Sequence, residues 1–191
     1  MTIAVIGAGA SGMMAALTAA ETPENKILLF ERQARVGRKL AMTGNGRCNL
    51  TNTSAAPENY HGAQPEFAAR ALAAFPPAAA LDWFAAHGLL TVTEPGGRVY
   101  PLSNAANSVV DVLRFALAQP NITLHMGDAV TAVRRQGRSF VVEMEGERFP
   151  ADRVIIACGG IAGAKAGGVT AIPCCKASVT GARRCTPRSC S

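Results

Sequence analysis

The chain has 191 residues, 49% of them hydrophobic, and a formal charge of +6. That length fits one domain or a little more, and that apolar fraction can fill a core. The charge does not mark a nucleic-acid surface. Lys176, Arg183, Arg184 and Arg188 lie in the acid-free stretch 171–191, and without them the charge falls to +2. No apolar run approaches the ~20 residues that cross a bilayer, and Thr2–Ile6 is too short for a secretory leader. The expectation is a cytoplasmic protein with no membrane and no nucleic-acid partner. Of six cysteines, Cys174, Cys175, Cys185 and Cys190 crowd the last stretch, leaving Cys48 and Cys158 in the body. This clustering, without a leader, argues against a disulfide framework.

Thr2–Ile6 is apolar and reads as a strand. Gly7-Ala-Gly9-Ala-Ser-Gly12 follows directly, then a small-residue helix over Met13–Glu21 and a second apolar strand, Lys26–Phe30, ending at Glu31. A lone G-x-G-x-x-G also occurs in structural turns. Here strand, glycines, helix, strand and acid stand in the order of a dinucleotide-binding βαβ unit. Gly7 permits the tight turn, Gly9 leaves room for a pyrophosphate, and Gly12 lets the helix approach the sheet. The helix N-terminus offers N–H groups and partial positive charge to phosphate. Glu31 comes 19 residues after Gly12, where a carboxylate can accept both ribose hydroxyls.

Gln33–Asn52 reads as a loop. Within it GRKLAMTGNGRCNLTN (Gly37–Asn52) concentrates glycine, amide side chains and fixed positive charge. Arg38, Lys39 and Arg47 can neutralise phosphate, and Gly44 and Gly46 allow close approach of a planar ring. A solvated loop held by Asx-turns is the equal alternative. Helices are expected over Pro65–Ala74 and Pro77–His87, the latter with Leu81, Phe84 and Ala85 as its apolar stripe and Gly88 as its stop. Short strands are expected at Leu89–Thr93 and Arg98–Tyr100. A further helix, capped by Asn104 or Asn107, carries Val109, Val112, Leu113 and Ala116 at helical spacing. Strands follow at Ile122–His125, Ala129–Arg134, Ser139–Glu143 and Glu147–Phe149. Arg153–Ala157 is apolar enough for the centre of a parallel sheet covered on both faces.

The GRKLAMTGNGRCNLTN block, preceded by the glycine motif and Phe30-Glu-Arg32, resembles the BaiN/YhiN-type FAD-dependent oxidoreductases. GRVYPLSNAANSVVDVL (Gly97–Leu113) and ADRVIIACGG (Ala151–Gly160) extend the resemblance to about residue 170. It implies an α/β fold: a Rossmann-like FAD-binding domain of the two-dinucleotide-binding flavoprotein type over residues 1–170, incomplete. That domain would carry a small helical insertion at about 60–118 and an antiparallel β segment at about 122–150.

The resemblance also implies that FAD binds extended. Gly7, Gly9, Ala10, Ser11 and Gly12 would hold the pyrophosphate, and Glu31 the adenosine ribose, with Arg32 beside it. Arg38, Lys39, Leu40, Thr43 and Arg47 would follow the cofactor towards the flavin. The backbone of Val130 would meet the adenine, and Ala157-Cys158-Gly159 would pack near the nucleotide. A nicotinamide nucleotide is the candidate electron donor, and the partner is a small-molecule substrate, loosely an unsaturated ring or enone.

No residue is named as catalytic, because the flavin carries the hydride chemistry. Cys48 and Cys158 lack a C-x-x-C partner and read as structural thiols. His61, His87 and His125 share no ligand spacing, and no metal is expected. Trp83 fits helix packing better than flavin stacking.

Residues 171–191 contain no Leu, Phe, Met, Trp or Tyr, and their cysteines do not match common zinc spacing. Regrouping the possible codons by one base permits an amphipathic string with the Gly-His and Leu-Tyr-Pro-Ala-Leu that the family pattern calls for. The stretch therefore reads as an out-of-frame, disordered tail on an N-terminal fragment, and any FAD held by this chain is expected to be weakly bound. A non-catalytic nucleotide-binding remnant and an NAD-linked dehydrogenase are the competing functions. The second is disfavoured because a strand-rich region precedes the second glycine signature.

Overall fold

A computed structural model describes residues 1–62, 64 and 66–159. The described chain divides into two units: residues 1–35 with the segment from 120 onward, and residues 36–119. Expectations for the 171–191 tail, and for the glycine signature beyond Gly159, lie outside the described residues.

The first unit is built on a parallel sheet. Its strands are β1 (Thr2–Ile6), β2 (Lys26–Glu31), β6 (Ile122–Met126) and β10 (Arg153–Ile156), in the order β10-β1-β2-β6. Register aligns Ile6 with both Phe30 and Ile156, and Glu31 with Met126, so the strands finish along one edge. Helix α1 (Ala10–Ala20) crosses from β1 to β2 and buries Gly12, Met13, Ala16, Leu17 and Ala20. It begins earlier than Met13, so the last three residues of the glycine motif form its first turn. Two side-chain amides hold its far end: Asn25 donates to Ala19 O at 2.9 Å and Asn121 to Ala20 O at 3.0 Å. These amides satisfy carbonyls that the end of a helix leaves without intrahelical donors.

Strands β7 (Val130–Gln136), β8 (Ser139–Met144) and β9 (Glu147–Ala151) form an antiparallel meander. Val133, Val142, Met144 and Ala151 of this meander cluster with Ala4, Ile6, Leu28 and Phe30 of the parallel sheet. Because strand side chains alternate, Ile3, Val5, Ile27 and Leu29 are equally buried on the opposite face, and α1 packs against the same two strands. β1 and β2 are thus apolar on both faces, which is why their sequences are unbroken hydrophobic runs rather than alternating ones. Each such side chain contributes roughly 1.5–3 kcal/mol by burial.

Two expectations are corrected here. Ile122–His125 leaves the strand-rich stretch and joins β2 in parallel, so within 122–151 the antiparallel strands are β7–β9. Arg153–Ile156 is at the border of the described sheet, not its centre. No described strand pairs with its outer side, and Ile155 and Ile156 remain 37% and 43% exposed. Apolar composition reports burial tendency and cannot say which neighbour supplies the cover.

The second unit holds a three-stranded antiparallel sheet in the order β3-β5-β4, from β3 (Thr51–Asn52), β4 (Thr91–Thr93) and β5 (Arg98–Pro101). Its helices are α2 (Phe67–Ala74), α3 (Pro77–Ala86) and α4 (Ala106–Ala116). The 3.6-residue spacing on α4 is obeyed, with Val109 and Leu113 buried. On α3 only Phe84 is buried and Ala85 is exposed, so the expected stripe is narrower. Neither Asn104 nor Asn107 caps α4. Ala105 occupies that position, and Asn104 takes a positive φ of 57° with its side chain engaged elsewhere. Leu89 and Leu90 lie outside β4, as Asp128 and Ala129 lie outside β7.

The closeness of α1 to β1 generates the first prediction. A Cβ placed on Gly12 would lie 1.7 Å from Gly7 O and 3.2 Å from Ala157 Cβ. Neither a backbone carbonyl nor a sheet strand can yield that distance cheaply. Gly12→Ala should lower unfolding free energy in urea by at least ~3 kcal/mol. A change below ~1 kcal/mol would show that the helix can shift away.

Candidate functional site

The candidate residues of the first unit all follow the carboxyl ends of parallel strands. Gly7–Gly12 follow β1, Glu31 ends β2 with Arg32 next after it, Val130 opens β7 after the turn that follows β6, and Ala157–Gly159 follow β10. Ligands of open α/β sheets bind outside this edge. Gly7 turns the chain with φ +103°, donates its N–H to Phe30 O at 2.7 Å, and would place a Cβ 2.7 Å from Ala157 O. Ala157 in turn donates to Ile6 O at 2.8 Å, so the second signature closes tightly over the first.

Gly9 differs from both neighbours in the motif. Its φ is an ordinary −76°, and a Cβ built there meets nothing within 4 Å. A side chain is tolerable to the fold at this point, and the space beside the backbone is open. Gly9 is also the N-cap of α1 and provides no side-chain cap. Ala10 and Ser11, in the first turn, are exposed. Open space at a helix start without a side-chain cap suits an anionic group such as a pyrophosphate.

Glu31 lies beside this turn. Its Oε2 accepts the Ala8 N–H at 2.9 Å and its Oε1 accepts the Gln33 N–H at 2.9 Å. A carboxylate offers about four lone-pair sites. Each oxygen retains one for a diol such as a ribose. The Gly127 N–H donates to Glu31 O at 3.0 Å, which fixes the turn leading towards Val130. The side chain of Val130 packs on the cluster containing Phe30, so its backbone is held at this edge. Arg32 is exposed next to Glu31.

Arg38, Lys39, Leu40, Thr43 and Arg47 belong to the second unit. Leu40–Gly46 forms a kinked pair of short 3₁₀ turns rather than an irregular loop, with Gly44 and Asn45 in the left-handed region. Thr43 Oγ1 donates to Leu40 O at 2.7 Å, and Cys48 N donates to Thr43 O at 2.9 Å. A Cβ on Gly44 would lie 2.7 Å from Asn49 N. Arg38 and Lys39 are exposed. Asn52 makes the Asx-turn of the alternative reading, its Oδ1 accepting from Ser54 N at 2.8 Å.

The guanidinium of Arg47, offered to phosphate by the sequence, has protein partners. It donates to Glu94 Oε1 and Asn104 Oδ1 and lies 4.0 Å over the Tyr100 ring. The hydrogen bond to Arg47 holds the Glu94 carboxyl below the usual carboxylate range, and the same bond raises Arg47. No sequence signal links positions 47, 94 and 104, so this cluster was not legible beforehand.

The remaining candidates are placed without chemistry. Cys48 is buried and takes φ 61°. Burial pushes its thiol pKa up, against a smaller effect of the Thr43 hydrogen bond. Thiolate is the reactive form, so this is an inert setting. His125 stacks on Phe30 at 5.0 Å and meets Phe149 edge-on at 4.7 Å, and burial lowers its pKa. Trp83 stacks on His87 at 3.9 Å, within α3 and its cap. No described helix is long and apolar enough to cross a membrane.

A parallel sheet with a glycine turn, an uncapped helix start and an acid ending the second strand defines a Rossmann-type nucleotide-binding domain. The chain belongs to the HI0933-like protein Rossmann domain family, whose model matches residues 1–177. It is 42% identical over 159 residues to a 3-dehydro-bile acid delta(4,6)-reductase of Clostridium scindens, covering 83% of this chain and 39% of that protein. It is 30% identical over 157 residues to a ribosomal RNA dihydrouridine synthase of Escherichia coli K12, covering 82% and 39%. The chain therefore spans about two fifths of the length of these curated relatives. Among solved structures, an oxidoreductase from Methanosarcina mazei shares the fold with a TM-score of 0.56 at 13% identity, over 95% of this chain and 63% of that one. CtdE, solved in complex with FAD and a substrate, gives 0.51 at 14% identity, over 82% and 37%.

The two backbone hydrogen bonds accepted by Glu31 give a ligand-free prediction. Glu31→Gln puts an amide N–H₂ where one backbone N–H must be accepted. Unfolding free energy should fall by about 1–3 kcal/mol without any nucleotide. An unchanged urea midpoint would mean that the carboxylate is a surface charge with no part in shaping the turn.

Proposed function

We propose that this chain supplies the FAD-holding portion of a flavin-dependent oxidoreductase that reduces a small organic substrate. The observation that carries the reading is the open space at Gly9, bordered by the exposed first turn of α1 and by the carboxylate of Glu31. Gly7, Gly9, Ala10, Ser11 and Gly12 hold the pyrophosphate in this reading. Backbone N–H groups and the positive end of α1 supply the attraction. Glu31 accepts the ribose hydroxyls with the lone pairs left over from Ala8 and Gln33, and Arg32 lies beside it. Val130 presents backbone to the adenine, and Ala157 and Gly159 border the nucleotide. Arg38, Lys39, Leu40 and Thr43, of the second unit, are assigned in this reading to the flavin half of the cofactor.

When bound, FAD supplies the hydride chemistry, and the residues named here bind and orient it. A nicotinamide nucleotide serves as electron donor. Reduction of an unsaturated ring or enone is supported by the name of the delta(4,6)-reductase among the relatives.

The test is titration of the 191-residue chain with FAD and with NAD, followed by flavin fluorescence and calorimetry. Gly9→Ala should leave urea stability within ~1 kcal/mol yet weaken FAD at least about tenfold, or about 1.4 kcal/mol. Glu31→Ala should weaken FAD by about ten- to a hundred-fold, the loss of a charge-assisted hydrogen bond of roughly 1.5–3 kcal/mol. Binding of NAD in preference to FAD, or FAD affinity indifferent to Gly9→Ala, would reject the proposal.

A further inference from the structure

Arg47 sits at the end of a backbone segment with an unusual density of left-handed residues. Gly44, Asn45, Gly46 and Cys48 have φ of 56°, 55°, 84° and 61°. Side chains other than glycine and asparagine rarely adopt this region, so the Cys48 backbone needs outside support. The hydrogen bonds Arg47 N to Gly44 O at 3.1 Å and Cys48 N to Thr43 O at 2.9 Å close the loop on itself. They do not attach it to anything else.

The Leu40–Gly46 turns pack against α4, and the polar attachment to other segments comes from the Arg47 side chain. Nη2 reaches Glu94, at the turn after β4, and Nε reaches Asn104, just before α4. The face of the guanidinium covers Tyr100 on β5. Three separate pieces of the second unit are therefore gathered on one planar cation. Asn104 adopts φ 57°, and its Oδ1 accepts from Arg47 instead of capping α4. The planar fork of arginine serves two acceptors in its plane while its face lies on an aromatic ring, a geometry that the compact ammonium of lysine does not reproduce. Directly after Arg47, the side chain of Cys48 is buried, only 1% exposed.

We propose that Arg47 is a positioning residue and not a ligand of the cofactor phosphates: with Glu94, Asn104 and Tyr100 it clamps the Thr43–Cys48 loop in shape. The clamp itself is independent of any ligand. Its consequence for flavin binding rests on the FAD reading above. Glu94 already offsets the charge of Arg47, and its carboxylate would repel a phosphate brought to the same guanidinium, whereas a clamp leaves the loop backbone and the Thr43 hydroxyl presented to whatever binds there.

The experiment uses the full chain without flavin. A pulse of iodoacetamide is followed by peptide mass spectrometry, reading alkylation of Cys48 against Cys158 of the other unit. Arg47→Met and Glu94→Gln should each raise Cys48 alkylation at least tenfold with Cys158 unchanged. The double variant should label no faster than Arg47→Met alone, because the contribution of Glu94 acts through Arg47. Arg47→Lys should be intermediate.

If Arg47→Met unfolds the unit, Glu94→Gln and Asn104→Gly decide the matter; glycine keeps the positive φ and removes only the acceptor. Unchanged Cys48 labelling in both would overturn the proposal. A second arm compares FAD with riboflavin, which lacks the pyrophosphate. A clamp weakens both by a similar factor in Glu94→Gln. Loss confined to FAD in Arg47→Met, with Cys48 still protected, would make Arg47 a phosphate ligand and overturn the clamp. A chain that binds neither flavin defeats the FAD reading and leaves the labelling result to judge the clamp.

Discussion

The first unit depends on one close approach. Gly7 O stands where the Cβ of any other residue at position 12 would be. Because that atom is missing, α1 begins almost on top of the β1 carbonyl edge. Its buried side then packs against β1 and β2. The same approach aims the uncapped N–H groups of the first turn outward, beside Gly9. Packing and, in the reading proposed above, nucleotide binding are therefore set by neighbouring glycines with opposite surroundings. Gly12 is hemmed in by backbone, and Gly9 has empty space. Ala157 fastens the arrangement from the other side through its N–H to Ile6 O.

Glu31 joins these two demands in one side chain. A carboxylate at a strand end is ordinarily well solvated and contributes little. Here each oxygen already accepts a backbone N–H, so its position is fixed before any ligand arrives. Preorganised acceptors lose little entropy on binding. Asn25 and Asn121 do comparable work at the opposite end of α1, holding carbonyls that would otherwise need water. The axis of the helix is thus pinned at both termini.

The opening βαβ unit was legible because its signals are local. A strand, three glycines, a helix and an acid follow one another within 31 residues, and each has a steric or electrostatic reason. The membership of β6 in the parallel sheet was not legible. Ile122 and Leu124 suit either sheet, and pairing with β2 is settled by tertiary packing. The place of Arg153–Ile156 was misjudged for a related reason: an apolar run suits a border strand as well as a central one. Asn104 was misread because asparagine serves both as a helix cap and as a left-handed residue, and only the position of Arg47 decides between them. The charge of Arg47 was visible in the sequence; Glu94 and Asn104, its partners, are distant along the chain.

The pairing of β1 with β10 also bears on how the molecule reaches its native state. Thr2 and Asp152, which exchange hydrogen bonds, are 150 residues apart. Between β2 and β6 the whole of residues 36–119 is looped out. The cost of closing such a loop rises only with the logarithm of its length. Changes in the size of the excursion therefore affect the sheet little at equilibrium, while the search for so distant a partner slows folding. During synthesis, the turn at Gly7 emerges well before Ala157, the residue that closes against it from 150 positions further along. The turn is thus made early relative to its own partner and waits, half built, for a distant segment to complete it.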